Sequence, residues 1–292
     1  MNGLQPYLRL LRPHQWVKSG FVFAGLLFGH AWHDAQRVEQ VLLAAVAFSL
    51  AASAVYVLND LSDRELDRLH PHKRHRPLAA GQVNVTQALM LAGACLVSAL
   101  MLGHAASPRV LILVLVYVVL NVAYSAGLKH VVLLDVFIIA AGFMLRILAG
   151  TLGVGIAPSH WLLLCGATIT LFLGFAKRRA ELNALAAQGS GRGRALNDYD
   201  SVLLDKLIGI CATGAIVSYS LYTFSEATVA RHGTDALIYT VPFVIYAIFR
   251  YLFLLHRRGG GGDPAAALLQ DAHLFCAFVG WLATVIGLLL IA

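Results

Sequence analysis

Charge is what this sequence has least of. Only 13% of its 292 residues are charged and 59% are hydrophobic, whereas a soluble globular domain carries about 25% charged residues. That deficit excludes an ordinary soluble fold. Apolar runs such as QVLLAAVAFSLAASAVYVL and QALMLAGACLVSALML match helices that cross a hydrocarbon layer about 30 Å thick. Cysteine is just as sparse. Cys95, Cys165, Cys211 and Cys276 stand singly inside apolar runs with no CxxC spacing, which excludes a disulfide framework and a thiolate zinc site and leaves small packing residues. A cleavable leader is not expected either. The start, MNGLQPYLRLLRPHQWVKSG, is polar and basic, so the first membrane helix is expected to do the targeting.

What is present is an all-α polytopic pattern in one domain, 1–292. Nine spans are expected, at approximately 17–32, 41–58, 87–103, 109–127, 132–152, 159–176, 207–226, 237–255 and 272–291, with ends uncertain by a few residues. With the N-terminus in the cytoplasm, all Lys and Arg residues fall on the cytoplasmic side except Arg37, Arg109, Arg231 and the in-span Arg146 and Arg250. This bias sets the orientation. The net charge of +7 is therefore placed for topology, and no nucleic-acid partner is expected. The long loops 59–86, 177–206 and 256–271 share that side. Within them, Gly189 to Arg194 and Gly259 to Gly262 read as flexible hinges.

The first of these loops, NDLSDRELDRLHPHKRHRPLAAG from Asn59 to Gly81, carries the chemistry. Asp60, Asp63 and Asp67 are spaced three and four apart with Asn59 beside the first, which lines their carboxylates along one face of a continuing helix. Like charges so placed call for a cation, and magnesium takes one or two carboxylates plus substrate phosphates. Lys73, Arg74 and Arg76 follow and suit phosphate oxygens. Such a stretch also reads as a solvated loop of paired acids and bases. Its start at membrane depth, where ionisable groups are costly, favours a metal–diphosphate site.

NDLSDRELD resembles the NDxxDxxxD signature of the UbiA superfamily of intramembrane prenyltransferases at Asn59, Asp60, Asp63 and Asp67, and KRHRPLAAG resembles the K-x-R-P-x-x-x-G continuation at Lys73, Arg76, Pro77 and Gly81. The resemblance implies nine helices around a central lipid-facing cavity under cytoplasmic cap loops, with magnesium and diphosphate held by the Asp-rich helix. Members that transfer prenyl groups carry a second motif, roughly DxxxD, after the sixth span. Here that region reads GFAKRRAELNAL, and Asp198, Asp200 and Asp205 come later without the spacing. LRPHQWVKSG, AYSAGLKH, LDVFIIAAGFMLRILAG and AKRRAEL are similar instead to the decaprenyl-phosphate phosphoribosyltransferase branch.

That likeness implies a glycosyltransferase that moves 5-phosphoribose from 5-phosphoribosyl 1-diphosphate to a polyprenyl phosphate, releasing diphosphate. It places the enzyme in the inner cell membrane with its site facing the cytoplasm and its product feeding cell-wall arabinose donors. By the same resemblance Asp60, Asp63 and Asp67 are catalytic. Asn59, Lys73, Arg76, Tyr124, Lys129, Lys177, Arg178 and Glu181 meet substrate phosphates. Arg12, Trp16 and Lys18 receive the acceptor lipid, and Asn59, Asp60, Asp63, Asp67 and Asp135 hold metal. Read alone, Lys129, Tyr124 and the Arg12–His14–Trp16–Lys18 cluster are interfacial anchors.

Asp135 lies inside or at the edge of an apolar span and needs a cation or metal partner, whereas Arg146 needs water or an acid. Arg250 is expected to snorkel, and His70, His72 and His75 are expected to be solvated. Asp263 with Pro264 and Asp271 shapes the last loop. The alternatives are an aromatic prenyltransferase with a polyprenyl diphosphate donor, and a non-catalytic lipid carrier. Membrane lipids are partners in every case, and assembly into a homo-oligomer is left open.

Overall fold

Helix is the only regular structure among the residues described by the computed structural model, 3–69, 73–188, 199–257 and 264–291. His70, His72, Asp198, Asp263 and the glycine-rich runs at 189–194 and 259–262 lie outside them. Among the described residues eight helices are long and apolar enough to cross a membrane: Ala35–Ser62, Val85–Ala106, Pro108–Ala126, Leu134–Val154, His160–Ala184, Ser201–Phe224, Ala236–Arg257 and Ala272–Ile291. They correspond to the second to ninth expected spans.

The first expected span takes a different form. An 11-residue 3-10 helix, Pro13–Phe23, runs into the short α-helix Ala24–Phe28. At about 2.0 Å per residue in the first piece and about 1.5 Å in the second, the two together still reach about 30 Å. So long a 3-10 run is uncommon, and its end packs closely against Gly150. A Cβ added at Gly25 would sit 1.7 Å from the Gly150 carbonyl oxygen, and one at Gly150 would sit 1.6 Å from that of Val22.

The chain divides into two compact units. The first comprises Met1–Ala126 and Leu145–Ala157. It holds α1 (Gln5–Leu11), the 3-10 segment, α2 (Ala24–Phe28), α3 (Ala35–Ser62), α4 (Arg64–Leu69), α5 (Val85–Ala106), α6 (Pro108–Ala126) and the last residues of α7 (Leu134–Ala149). Helix α3 is its axis. Ala44, Ala45, Ala47, Ala51 and Ala52 are buried in one cluster with Ala99 and Ala106 of α5, and small side chains let membrane helices approach closely. Asp34 caps the start of α3 by accepting from the Arg37 N–H, and Asn84 and Gln87 form a capping box on α5.

Arg146 is buried here against two aromatic rings. Its Nη2 donates to the Tyr117 hydroxyl at 3.2 Å, and its guanidinium lies over the Tyr117 and Phe48 rings. Ring faces supply negative potential to the buried guanidinium.

The second unit comprises Gly127–Met144 and Pro158–Ala292. It holds the start of α7, then α8 (His160–Gln188), α9 (Ser201–Phe224), α10 (Glu226–His232), α11 (Val241–Arg257), α12 (Pro264–Gln270) and α13 (Ala272–Ile291). Helix α8 lies along α9, and a Cβ at Gly174 of α8 would sit 2.7 Å from a Val136 methyl of α7. Arg250 pairs with Asp271 at the end of the last loop. Its Nε and Nη2 donate to the two carboxylate oxygens of Asp271 at 3.1 and 2.8 Å, while Asp271 Oδ1 also accepts from the Leu274 N–H at the start of α13. Asp271 does shape the last loop, and it does so as a cap with a bidentate arginine attached.

Candidate active site

In the first unit the end of α3 gathers charge. The helix stops at Ser62, Asp63 turns out of helical geometry, and α4 resumes at Arg64. Backbone bonds from Asp63 N–H to Asn59 O and from Asp67 N–H to Asp63 O keep the four-residue register across the break. The expected continuing helix is thus interrupted, yet Asp60 and Asp67 still converge. Both are buried, and one nitrogen bridges them. Arg76 Nη1 donates to Asp60 Oδ1 at 3.1 Å and to Asp67 Oδ2 at 2.7 Å. Arg12 Nη2 donates to the same Asp60 Oδ1 at 2.6 Å. Asn59 Oδ1 accepts from the Ser125 hydroxyl at 3.2 Å.

Each arginine is delivered by a short apolar anchor. Arg76 sits where the chain turns back. Gly81 takes φ +71°, the Gln82 and Val83 N–H groups bond Pro77 O, and Leu78 packs with Leu10, Val57, Val83 and Ala88. Arg12 closes α1 in the left-handed region at φ 53°, and its guanidinium stacks on the Tyr56 ring. Beyond it the 3-10 segment is pinned to α3. The Trp16 indole N–H donates to Ser53 Oγ, whose hydroxyl donates to Leu11 O, and Ser49 donates to Ser19.

Ser49, Ser53, Tyr56 and Asp60 form one polar stripe at spacings of four, three and four, the period of a helix face. Serine and tyrosine are polar enough to bond and mild enough to vanish inside a run that scores as apolar. Only that spacing could have exposed them.

The second unit has its own charged end. Asp135, wholly buried at the start of α7, accepts from Arg178 Nε at 2.6 Å on Oδ2 and from the Tyr199 hydroxyl at 2.8 Å on Oδ1. Arg178 Nη1 donates to Glu181 Oε2 at 2.6 Å, and Lys177 Nζ lies 3.9 Å from Glu181 Oε1. Asp135 therefore has an arginine and a phenol on its two oxygens, and Arg178 is a cation of the kind expected beside it. Arg178 is spent on two carboxylates within the protein, so the exposed cation of this group is Lys177. Arg179 bonds Asp205 and Asn183, and Asp200 caps α9. Neither acid stands in for a second Asp-rich motif. Lys129 lies in the 3-10 turn Leu128–His130, Lys73 opens the turn Lys73–His75, and Tyr124 is half-buried near the end of α6.

The UbiA prenyltransferase family model matches residues 20–279. The chain belongs to the UbiA prenyltransferase family. Among its UbiA relatives are the decaprenyl-phosphate phosphoribosyltransferases of Mycolicibacterium smegmatis, 34% identical over 97% of this chain and 92% of that protein, and of Corynebacterium glutamicum, 36% identical over 94% and 83%. A UbiA homolog from Archaeoglobus fulgidus, solved with GPP and Mg2+ bound, superposes with a TM-score of 0.71 over 97% of this chain and 99% of that one, at 17% identity. At that identity the likeness concerns the fold.

The oxygens around Asp60 suit a hard divalent cation of the kind UbiA neighbours hold. The hydrogen bonds found take one oxygen of Asp60 and one of Asp67, and the donor set is carboxylate and amide oxygen throughout. Among the described residues no three His, Cys, Asp or Glu side chains converge as a metal cage. The two carboxylates that do meet, Asp60 and Asp67, are within the one or two that magnesium takes from protein, with water and phosphate completing its shell.

Proposed function

We propose that this chain transfers 5-phosphoribose from 5-phosphoribosyl 1-diphosphate to a polyprenyl phosphate and releases diphosphate, as one catalytic domain in the inner membrane facing the cytoplasm. The observation that carries the reading is the charge on α8. Where a prenyl-transferring member is expected to present a second pair of carboxylates, this chain presents Lys177, Arg178 and Arg179, with Arg178 and Arg179 already paired to acids. A donor with an additional phosphate and an acceptor that is itself a phosphate both call for cations there. The near full-length likeness to two decaprenyl-phosphate phosphoribosyltransferases supports the same choice.

Asn59, Asp60, Asp63 and Asp67 would hold magnesium, which when bound neutralises charge on the departing diphosphate. The residues of the chain do the rest. Arg12 and Arg76, each only partly covered, sit on Asp60 until substrate arrives, and their forked donors match phosphate oxygens better than a shared carboxylate oxygen. Lys73, Lys129 and Lys177 add cations for the remaining phosphate groups, and Tyr124 adds a hydroxyl. An oxygen of the acceptor phosphate attacks the anomeric carbon as its bond to diphosphate breaks. That nucleophile is already an anion, so no strong general base is needed. Trp16 and Lys18, held against α3, stand where the lipid phosphate would arrive, and apolar helix faces take its tail.

The test is a donor assay on purified chain in lipid nanodiscs with magnesium. Labelled phosphoribosyl diphosphate and polyprenyl phosphate should give a lipid-linked product and diphosphate. Consumption of prenyl diphosphate with an aromatic acid, and none of the ribosyl donor, would establish the prenyltransferase reading instead.

A further inference from the structure

Tyr199 was not among the residues that sequence reasoning selected, yet it is one of the largest fully buried side chains. It stands immediately before Asp200, the N-cap of α9, and reaches back to the connector between α6 and α7. Its hydroxyl does two jobs. It donates to Asp135 Oδ1 at 2.8 Å and accepts from the Leu133 N–H at 2.7 Å, which uses one donor and one acceptor of the phenol. Burial, and then the bond to Asp135, push the phenol well above its ordinary pKa, so the group stays a proton donor at physiological pH.

Leu133 is strained. It sits at φ +67°, a region that costs a side chain with a Cβ and persists only where surroundings impose it. The connector that it ends begins at Gly127 and carries Lys129 in the turn Leu128–His130. On its other side Tyr199 faces the chain of alternating charge from Asp135 through Arg178 and Glu181 to Lys177. Two lysines assigned to substrate phosphates thus depend on groups that meet at one hydroxyl.

We propose that Tyr199 is a positioning residue for phosphoribosyl transfer, tying Leu133 to Asp135 so that the connector places Lys129 and the buried arginine orders Lys177. The inference rests on the functional reading above. Tyr199 touches no substrate and acts through these two cations, so its loss weakens donor binding and leaves the bond-breaking step to the intact Asp face.

The experiment compares wild type with Tyr199→Phe in nanodiscs, with Leu133→Val as a second variant that strains the connector without deleting the hydroxyl. The KM for phosphoribosyl diphosphate is expected to rise about tenfold in each, with kcat within about twofold. Amide exchange over 128–135 in the ligand-free protein should accelerate in Tyr199→Phe. A residue that served only packing would lower the melting temperature and the active fraction while leaving that KM in place. An unchanged donor KM in both variants overturns the proposal. A wild type that consumes no phosphoribosyl diphosphate overturns the functional reading and this inference with it, and is told apart because the wild type itself is silent.

Discussion

Each unit buries an aspartate at a charged helix end and balances it with arginine, but the two arrangements are built for different ends. Asp60 is 2% exposed and Asp135 is 0% exposed, so burial of the acid does not separate them. Their counterions do. Asp60 offers one oxygen to two arginines that keep 23% and 28% of their side chains exposed. Asp135 has both oxygens filled, by Tyr199 and by an Arg178 that is 11% exposed and held from behind by Glu181. The cations of the first set keep access to solvent. The second is closed, and its disruption would leave charge without solvent. Whether a buried carboxylate serves chemistry or architecture is decided by how free its cation is to leave.

The comparison breaks most visibly at Asp60. Asp60→Asn should cut turnover by about a thousandfold, the scale seen when a charge-stabilising group is lost, while the melting temperature moves little; a carrier without catalysis would be indifferent to it, and to Asp60→Asn with Asp63→Asn. Asp135→Ala should do the reverse in kind, lowering stability by about 1–3 kcal/mol because the Arg178 Nε and the Tyr199 hydroxyl lose their acceptor inside the fold while Glu181 still holds the other end of the guanidinium. Chemical or thermal unfolding in detergent reads this directly, and replacing Asp135 and Arg178 together with apolar residues should restore much of the stability.

A smaller effect is expected at the strap. Trp16→Phe removes the bond to Ser53, worth about 1 kcal/mol, and should raise the acceptor KM several-fold with the donor KM unmoved. The smallest concerns Asp271. Its carboxyl is held down to about 2, first by the hydrogen bonds from Arg250, below the ordinary value of about 3.9. A depressed acid contributes stability above its unfolded pKa and loses it as pH falls through the folded one. Melting temperature should therefore drop between about pH 4 and pH 2, and Asp271→Asn should flatten that limb.

The membrane class, eight of the spans and the approach of Asp60 to Asp67 were legible because they are local. Hydropathy and a three-four spacing need only neighbours along the chain. The first span is expected at 17–32 and runs instead through a 3-10 helix from Pro13, beside close contacts of Gly25 and Gly150 that are far apart in sequence. The partners of in-span charges were equally hidden. Arg146 found rings and Arg250 found Asp271, and both lie on other segments. Tyr199 meets Asp135 across 64 positions, and nothing near either residue announces the other. The arginines on Asp60 and Asp67 come from other segments as well, at Arg12 and Arg76.

The most direct test uses manganese as a magnetic stand-in for magnesium, with inorganic diphosphate, on purified wild type, Asp60→Asn and Asp135→Asn, each shown to be folded by its melting curve. Spin-resonance titration should give diphosphate-dependent binding in wild type and Asp135→Asn and none in Asp60→Asn. Equal binding by wild type and Asp60→Asn, or loss in Asp135→Asn alone, would contradict the assignment of the exchangeable carboxylate to chemistry.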